Sequence, residues 1–181
     1  ADADFVNKAA RGEAETINTC IACNQACLDH VFKQKRASCL VNPRACYETE
    51  LNFPISPDPK KLAVIGGGMA GMAFACYAKE RGHDVHLFEA KEELGGQFNL
   101  AKQVPGKEEF FESLRYFKRR LDDLQVNVSL NSYQNAKSLM DQGFDEVILA
   151  TGVIPRIPEI PGIDHPKVHD YQQVLSGQVN V

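Results

Sequence analysis

The sequence predicts an α/β fold with a mainly parallel sheet, preceded by a small, irregular and partly helical segment that is rich in cysteine. Two observations support this fold class. Short apolar runs alternate with helical patterns in the second part of the chain, and five of the six cysteines lie in the first part. Alternating strands and helices are typical of a parallel sheet that helices cover on both faces.

A proline-rich connector separates the two parts. Pro54, Pro57 and Pro59 fall within residues 52–61, and they favour an extended linker because proline disrupts both helices and central strands. Every glycine except Gly12 follows this connector. We therefore divide the chain into two regions, residues 1–58 and residues 59–181.

Several elements are predicted after the connector. The helix at 108–124 is the clearest, since its apolar residues recur at helical spacing and acidic residues occupy its first turn. The helix at 69–81 is expected to end at Gly82, a residue that caps helices well. The apolar runs predict strands at 62–65, 85–88, 126–130 and 146–150.

Composition excludes some classes of function. The chain carries 20 basic and 24 acidic residues, a formal net charge of −4, which gives no electrostatic signature of nucleic-acid or anionic-membrane binding. No apolar stretch is long enough to span a bilayer, and residues 1–19 lack the apolar region of a signal peptide. We expect a cytoplasmic protein whose cysteines are reduced or bind metal.

A glycine-rich turn links the first predicted strand to the first predicted helix. Gly66, Gly68 and Gly71 form a G-x-G-x-x-G sequence, in which the glycines allow a tight turn, close approach to a pyrophosphate, and close packing of helix on strand. Glu89 ends the second strand, where a carboxylate can accept hydrogen bonds from ribose and repel a 2′-phosphate. This context predicts a Rossmann-like domain that binds a dinucleotide other than NADP.

Two further glycine-containing stretches favour FAD over NAD. Ala150, Thr151 and Gly152 end the last predicted strand, where small residues let the backbone approach a bound dinucleotide. Gly95, Gly96 and Gln97 follow the second strand. This combination resembles flavoproteins with two dinucleotide-binding domains, which implies FAD or its ADP portion as the ligand.

The cysteines of the first region form a ligand pattern. Cys20, Cys23, Cys27 and Cys39 read C-x2-C-x3-C-x11-C, and four cysteine thiolates are the usual ligands of an iron–sulfur cluster. Structural zinc usually uses two C-x2-C pairs or mixed Cys and His ligands, and the second pair is missing here. Zinc, free thiols and disulfides remain alternatives. Cys76 is predicted to be a buried inert thiol, and the sequence assigns no role to Cys46.

The motifs occur together in an order that resembles a known family. They include the cysteine spacing, Asn42-Pro43-Arg44, the glycine turn, Gly95-Gly96-Gln97 and the stretch from Pro105 to Phe110. The chain resembles the NADH:flavin oxidoreductases that include trimethylamine dehydrogenase, and in particular the bacterial NADPH-dependent 2,4-dienoyl-CoA reductases. The resemblance implies an internal fragment, with the end of an FMN-binding TIM barrel before the cluster segment and an incomplete FAD domain after it.

The resemblance also implies roles for individual residues. The four cysteines at 20, 23, 27 and 39 would hold a 4Fe-4S cluster, and Ala70 and Glu89 would hold the ADP moiety. Gln97 and Lys107 would lie along the FAD, and the backbone of Gln134 near the adenine. The positions with an implied or predicted cofactor contact are Gly66, Gly68, Ala70, Gly71, Glu89, Gly96, Gln97, Lys107, Gln134, Ala150, Thr151 and Gly152.

The reaction implied by the family passes electrons from NADPH through FAD, the cluster and FMN to a dienoyl-CoA, in the β-oxidation of unsaturated fatty acids. The partners of this chain would be the FMN-binding barrel and the NAD(P) domain of the same polypeptide. The fragment alone would then be inactive, because no position here matches the substrate-protonating residues. Alternatives are an NADH oxidase or amine dehydrogenase of the same architecture, or a non-enzymatic zinc- and nucleotide-binding module.

Overall fold

The computed structural model describes residues 1–179 and confirms the predicted α/β fold class. Seven short or medium helices, one 3-10 turn and four strands follow one another along these residues. They are α1 (Phe5–Ala10), the 3-10 turn (Ala14–Thr16), α2 (Leu28–Phe32), β1 (Lys61–Ile65), α3 (Met69–Glu80), β2 (Asp84–Phe88), α4 (Phe98–Ala101), α5 (Glu109–Asp123), β3 (Asn127–Ser129), α6 (Ala136–Asp141), β4 (Glu146–Leu149) and α7 (Tyr171–Leu175).

The four strands form one parallel sheet in the order β3-β2-β1-β4. β1 is central, and its Leu62 lies opposite Val85 of β2 and Glu146 of β4. The chain therefore moves outward from β1 through β2 to β3 and then returns to the other side of β1. This reversal places a crevice at the carboxyl ends of β1 and β4, the position where open α/β sheets bind ligands.

Helices α3 and α5 pack together on one face of the sheet and form the main core. The side chains of Met72, Ala75 and Cys76 on α3 are fully buried. On α5, Leu114, Phe117 and Leu121 are buried at the helical spacing predicted from the sequence. Gly82 follows α3 with φ of +91°, so it ends the helix as predicted.

The other face of the sheet carries a smaller apolar cluster. Ala63, Phe88 and Leu139 are buried there, and the ring of Phe144 packs edge-on against Phe88 with 5.8 Å between centroids. The prediction that both faces of the sheet are covered is therefore correct for the central strands. It does not hold for β4, where the side chain of Leu149 is 77% exposed.

The first region is loosely packed. Asn18 is its only buried residue, and α1, α2 and the 3-10 turn bury none. Residues 52–60 contain neither helix nor strand, as the prolines predict, and the Ser56 N–H donates to the carbonyl oxygen of Arg81 at 2.8 Å. In the described part of the chain, no helix has the length and apolar character needed to cross a membrane.

Candidate functional site

A cavity of about 960 Å³ opens at the carboxyl ends of the strands. Its walls come from the glycine-rich turn, the start of α3, the end of β2, and the backbone that follows β4. Ten of the twelve positions predicted to contact a cofactor line it, namely Gly66, Gly68, Ala70, Glu89, Gly96, Gln97, Gln134, Ala150, Thr151 and Gly152. Gly71 and Lys107 lie outside this lining.

The glycine-rich turn is shaped by contacts that a side chain would prevent. A Cβ on Gly66 would lie 2.3 Å from the carbonyl oxygen of Ala150, and Gly66 also has φ of +110°. A Cβ on Gly71 would lie 1.9 Å from the carbonyl oxygen of Gly66. Gly71 thus lets α3 approach β1, which explains why it is absent from the cavity wall.

Gly68 differs because it faces open space. No heavy atom lies within 4 Å of the position that its Cβ would take, although the residue lines the cavity. It precedes α3, whose first-turn N–H groups have no partner within the helix. Ala70, in that first turn, is exposed. The arrangement can accept a phosphate group at the positive end of the helix dipole.

Glu89 is the only acidic residue of the described chain that lines the cavity, and it is 8% exposed. Its Oε2 accepts a hydrogen bond from the Gly67 N–H at 2.7 Å, and its Oε1 accepts one from the Lys91 N–H at 2.8 Å. Each carboxylate oxygen can accept a second bond. The side chain is therefore fixed in place and retains the capacity to bind ribose hydroxyls.

Gln97 is held by two partners that sequence reasoning did not connect with it. Its Nε2 donates to the carbonyl oxygen of Val153 at 2.9 Å, and its Oε1 accepts from the Tyr171 hydroxyl at 3.0 Å. Tyr171 begins α7, whose capping box joins Asp170 and Gln173. That D-x-x-Q pattern is the sequence signal that could have indicated a helix here.

Gln134 and Lys107 take different positions. The Gln134 side chain bonds Ser132 and Ser138 at 2.9 Å each, and the contact of its backbone with an adenine stays a prediction. Lys107 lies on the exposed loop before α5, with its ammonium 5.7 Å from the centroid of the Phe110 ring. The structure thus does not bring Lys107 to the cavity, and its predicted contact with FAD stays a prediction.

The four predicted cluster ligands lie on the loop that surrounds α2. Cys23 and Cys39 are partly exposed, whereas Cys20 and Cys27 are exposed, and all four are free thiols. Between residues 1 and 179, no three His, Cys, Asp or Glu side chains are grouped as ligands of a metal ion. The bonding of a cluster by these thiols therefore remains a prediction.

The backbone of this loop turns tightly around the cysteines, and four thiolates are the donor set that an iron–sulfur cluster uses. Ala22 and Asn24, on either side of Cys23, have φ of 52° and 56°, so the backbone turns sharply between the first two predicted ligands. The Ala22 N–H donates to the Cys20 sulfur at 3.4 Å. The Ser38 N–H donates to the Ala26 carbonyl at 2.6 Å, which brings the backbone at Cys27 beside that at Cys39.

The remaining residues of interest have simple environments. Cys76 is fully buried on α3, and burial raises the pKa of its thiol to about 11, as expected of an inert cysteine. Cys46 is exposed with φ of 65°. His30 Nδ1 lies 2.9 Å from the carbonyl oxygen of Arg36, which gives it a structural partner within the loop.

Known proteins share both regions of this chain. A metal reductase of Desulforamulus reducens is 41% identical over 98% of this chain. A bilirubin reductase of Mediterraneibacter gnavus is 39% identical over 97% of this chain. A solved 2-naphthoyl-CoA reductase complex superposes with a TM-score of 0.91 at 35% identity over 97% of the chain. The chain spans 27%, 28% and 27% of the lengths of these three proteins.

The names of these relatives describe oxidoreductases with different substrates. They do not single out a 2,4-dienoyl-CoA reductase, so that assignment remains a prediction. Residues 60–178 match the sequence profile of the pyridine nucleotide-disulphide oxidoreductases, and this stretch contains all the strands and the cavity described above. The chain belongs to the pyridine nucleotide-disulphide oxidoreductase family.

Proposed function

We propose that this chain is the electron-transfer region of an iron–sulfur flavoprotein oxidoreductase. The observation that carries the proposal is the cavity at the sheet reversal, where a glycine-rich turn, a helix N-terminus and a fixed carboxylate meet. FAD is the proposed ligand of the cavity, and a 4Fe-4S cluster the proposed ligand of Cys20, Cys23, Cys27 and Cys39. When bound, FAD would supply hydride chemistry and the cluster one-electron transfer.

Each part of the cavity has a separate task in holding the nucleotide. The first turn of α3 and the open space at Gly68 receive the diphosphate, which the helix dipole stabilises. Glu89 accepts hydrogen bonds from the ribose, and its negative charge disfavours a 2′-phosphate. The backbone of Gln134 borders the adenine end, and the residues from Ala150 to Gly152 border the opposite side.

The proposed substrate is an unsaturated acyl-CoA such as a 2,4-dienoyl-CoA, reduced elsewhere in a longer polypeptide. The similarity to a 2-naphthoyl-CoA reductase supports a CoA thioester, because that protein's name gives one as its substrate. The FMN-binding barrel and NAD(P) domain of this proposal would be the partners of the chain. An NADH oxidase or amine dehydrogenase of the same architecture is the alternative.

The test is the cofactor content of protein purified without oxygen. We expect about four irons and four sulfides per chain by chemical analysis, and binding of ADP by calorimetry. FAD in the purified protein would further support the flavoprotein assignment. Zinc without iron, together with no binding of ADP or FAD, would contradict the proposal and favour a zinc-binding module.

A further inference from the structure

An arginine of the nucleotide-binding region reaches the chain that leads into the first cluster ligand. Arg115 lies on α5, and its guanidinium donates to the carbonyl oxygens of Glu15 and of Ile17, the latter at 3.0 Å. It also lies 3.4 Å from the Thr19 hydroxyl oxygen, and Thr19 directly precedes Cys20. One side chain thus connects three residues of the segment to a core helix.

Glu112 holds this guanidinium in position. Its Oε2 accepts from Arg115 Nε at 2.8 Å, one turn away on the same helix. The same oxygen lies 3.4 Å from the Thr19 hydroxyl oxygen. The Arg115 side chain is 25% exposed, so its hydrogen bonds are partly shielded from water. Only arginine has enough fixed donors to serve a carboxylate and several carbonyls at once.

Asn18 fixes the same stretch from the opposite side. Its N–H donates to Asp2 Oδ2 at 2.8 Å, and its Nδ2 donates to the carbonyl oxygen of Val41 at 2.8 Å. Val41 lies two residues beyond Cys39, the last predicted ligand. Residues 17–19 are therefore bonded both to α5 and to the far end of the cysteine loop.

We propose that Arg115 is a positioning residue that fixes Cys20 and holds the cysteine loop against the nucleotide-binding domain. This inference rests on the proposed function, since it concerns a cluster bound by Cys20. Groups that orient metal ligands from outside typically change metal affinity by about 10- to 100-fold when removed. Arg115 also neutralises Glu112, so its loss leaves an unpaired negative charge 3.4 Å from the hydroxyl oxygen of Thr19, the residue before Cys20. That charge disfavours the reduced cluster.

The experiment compares R115Q and R115K with the matched control R119Q in the anaerobic, cluster-loaded chain. Arg119 lies on the same helix and is exposed, and within residues 1–179 its one ion pair is with Asp123. For R115Q we expect roughly tenfold faster loss of iron to a chelator, a more negative midpoint potential, and an altered EPR spectrum of the reduced cluster. R115K should restore the potential in part, because it keeps the charge, and R119Q should match the unmodified chain.

The outcomes separate three explanations. If R115Q loses thermal stability but keeps the original potential and EPR spectrum, Arg115 is structural and the positioning role is wrong. If R115Q does not fold, T19V is used in its place, because it removes only the hydroxyl that lies near Arg115. T19V must then alter the EPR spectrum, and an unchanged spectrum overturns the inference. If the unmodified chain takes up no iron and sulfide while still binding ADP, the cluster assignment fails, and this inference fails with it.

Discussion

Replacement of Glu89 by glutamine tests the proposal that this carboxylate binds a ribose in the cavity. The carboxylate accepts two backbone hydrogen bonds, from Gly67 at 2.7 Å and Lys91 at 2.8 Å, and is 8% exposed. A glutamine oxygen can keep one of them, while its NH2 group faces the other N–H without an acceptor. Loss of one charge-assisted bond and burial of an unpaired donor should lower the free energy of unfolding by about 2 kcal/mol.

The same substitution should weaken nucleotide binding. A neutral amide accepts fewer and weaker bonds from ribose hydroxyls, so the dissociation constant for ADP should rise by roughly tenfold or more, equivalent to about 1.4 kcal/mol or more. Binding of ADP that carries a 2′-phosphate should improve relative to ADP, because the repelling charge is removed. Calorimetric titration measures both ligands, and thermal unfolding measures stability.

E92Q is the matched control, since Glu92 is exposed and lies three residues further along the chain. It should leave both the ADP affinity and the unfolding temperature unchanged. An E89Q variant that binds ADP as tightly as the unmodified chain would refute the assignment of Glu89 to the ribose. An unchanged unfolding temperature would refute the importance of its two backbone bonds.

Three other predictions concern the turn, the buried thiol and the core. Gly71→Ala should lower the unfolding temperature, because its Cβ would meet a carbonyl oxygen at 1.9 Å. Gly68→Ala should leave the unfolding temperature nearly unchanged, and it should weaken ADP binding as measured by calorimetry. Cys76 should resist alkylation at pH 8 while exposed Cys46 reacts, as followed by mass spectrometry with and without denaturant. Because burial raises the pKa of the Cys76 thiol from its ordinary value of 9.0 to about 11, the stability that the protonated thiol contributes is present below pH 9.0. It should be lost as pH rises through about 11. Leu121→Ala, at a side chain 1% exposed, should cost about 2–5 kcal/mol in chemical unfolding.

The sheet and its glycine turn could be predicted because local sequence determines them. The strands are short apolar runs, and α5 repeats its apolar residues at helical spacing over four turns. A Cβ at Gly66 or Gly71 would lie within 2.3 Å of a backbone carbonyl oxygen, so only glycine fits at either position. The Gly71 requirement arises from Gly66 within one strand–turn–helix unit, so the local sequence reveals it. The Gly66 requirement arises from Ala150 and depends on how β4 pairs with β1.

The short helices could not be predicted in the same way. α4, α6 and α7 contain only four to six residues each, too few to show a period of 3.6. Asn135 caps the start of α6, and its partner in the capping box is Ser138 rather than Glu or Gln. The contact between Tyr171 and Gln97 joins residues far apart in the sequence, so it depends on how α7 packs near α4.

The cysteine spacing predicts a set of donors, but the positions of those donors depend on the rest of the chain. Only Asn18 is buried within residues 1–58, so this segment has no apolar core of its own. It is attached instead through ring contacts: Arg44 lies over Phe53, which packs against Tyr77 of α3 at 4.9 Å. Arg120 of α5 lies over the Tyr77 ring at 5.1 Å.

The segment before the connector is therefore attached to α3 and α5, the two helices that also pack on one face of the sheet. α3 supplies Tyr77 to the segment and its N-terminal turn to the cavity. α5 supplies Arg115 to the segment and packs on α3. Since both sites depend on one helix pair, a change that loosens this pair should disturb both, whereas a change at either binding surface should disturb one. This shared support gives a physical reason for the two proposed sites to keep a fixed separation, which the proposed electron transfer between them would require.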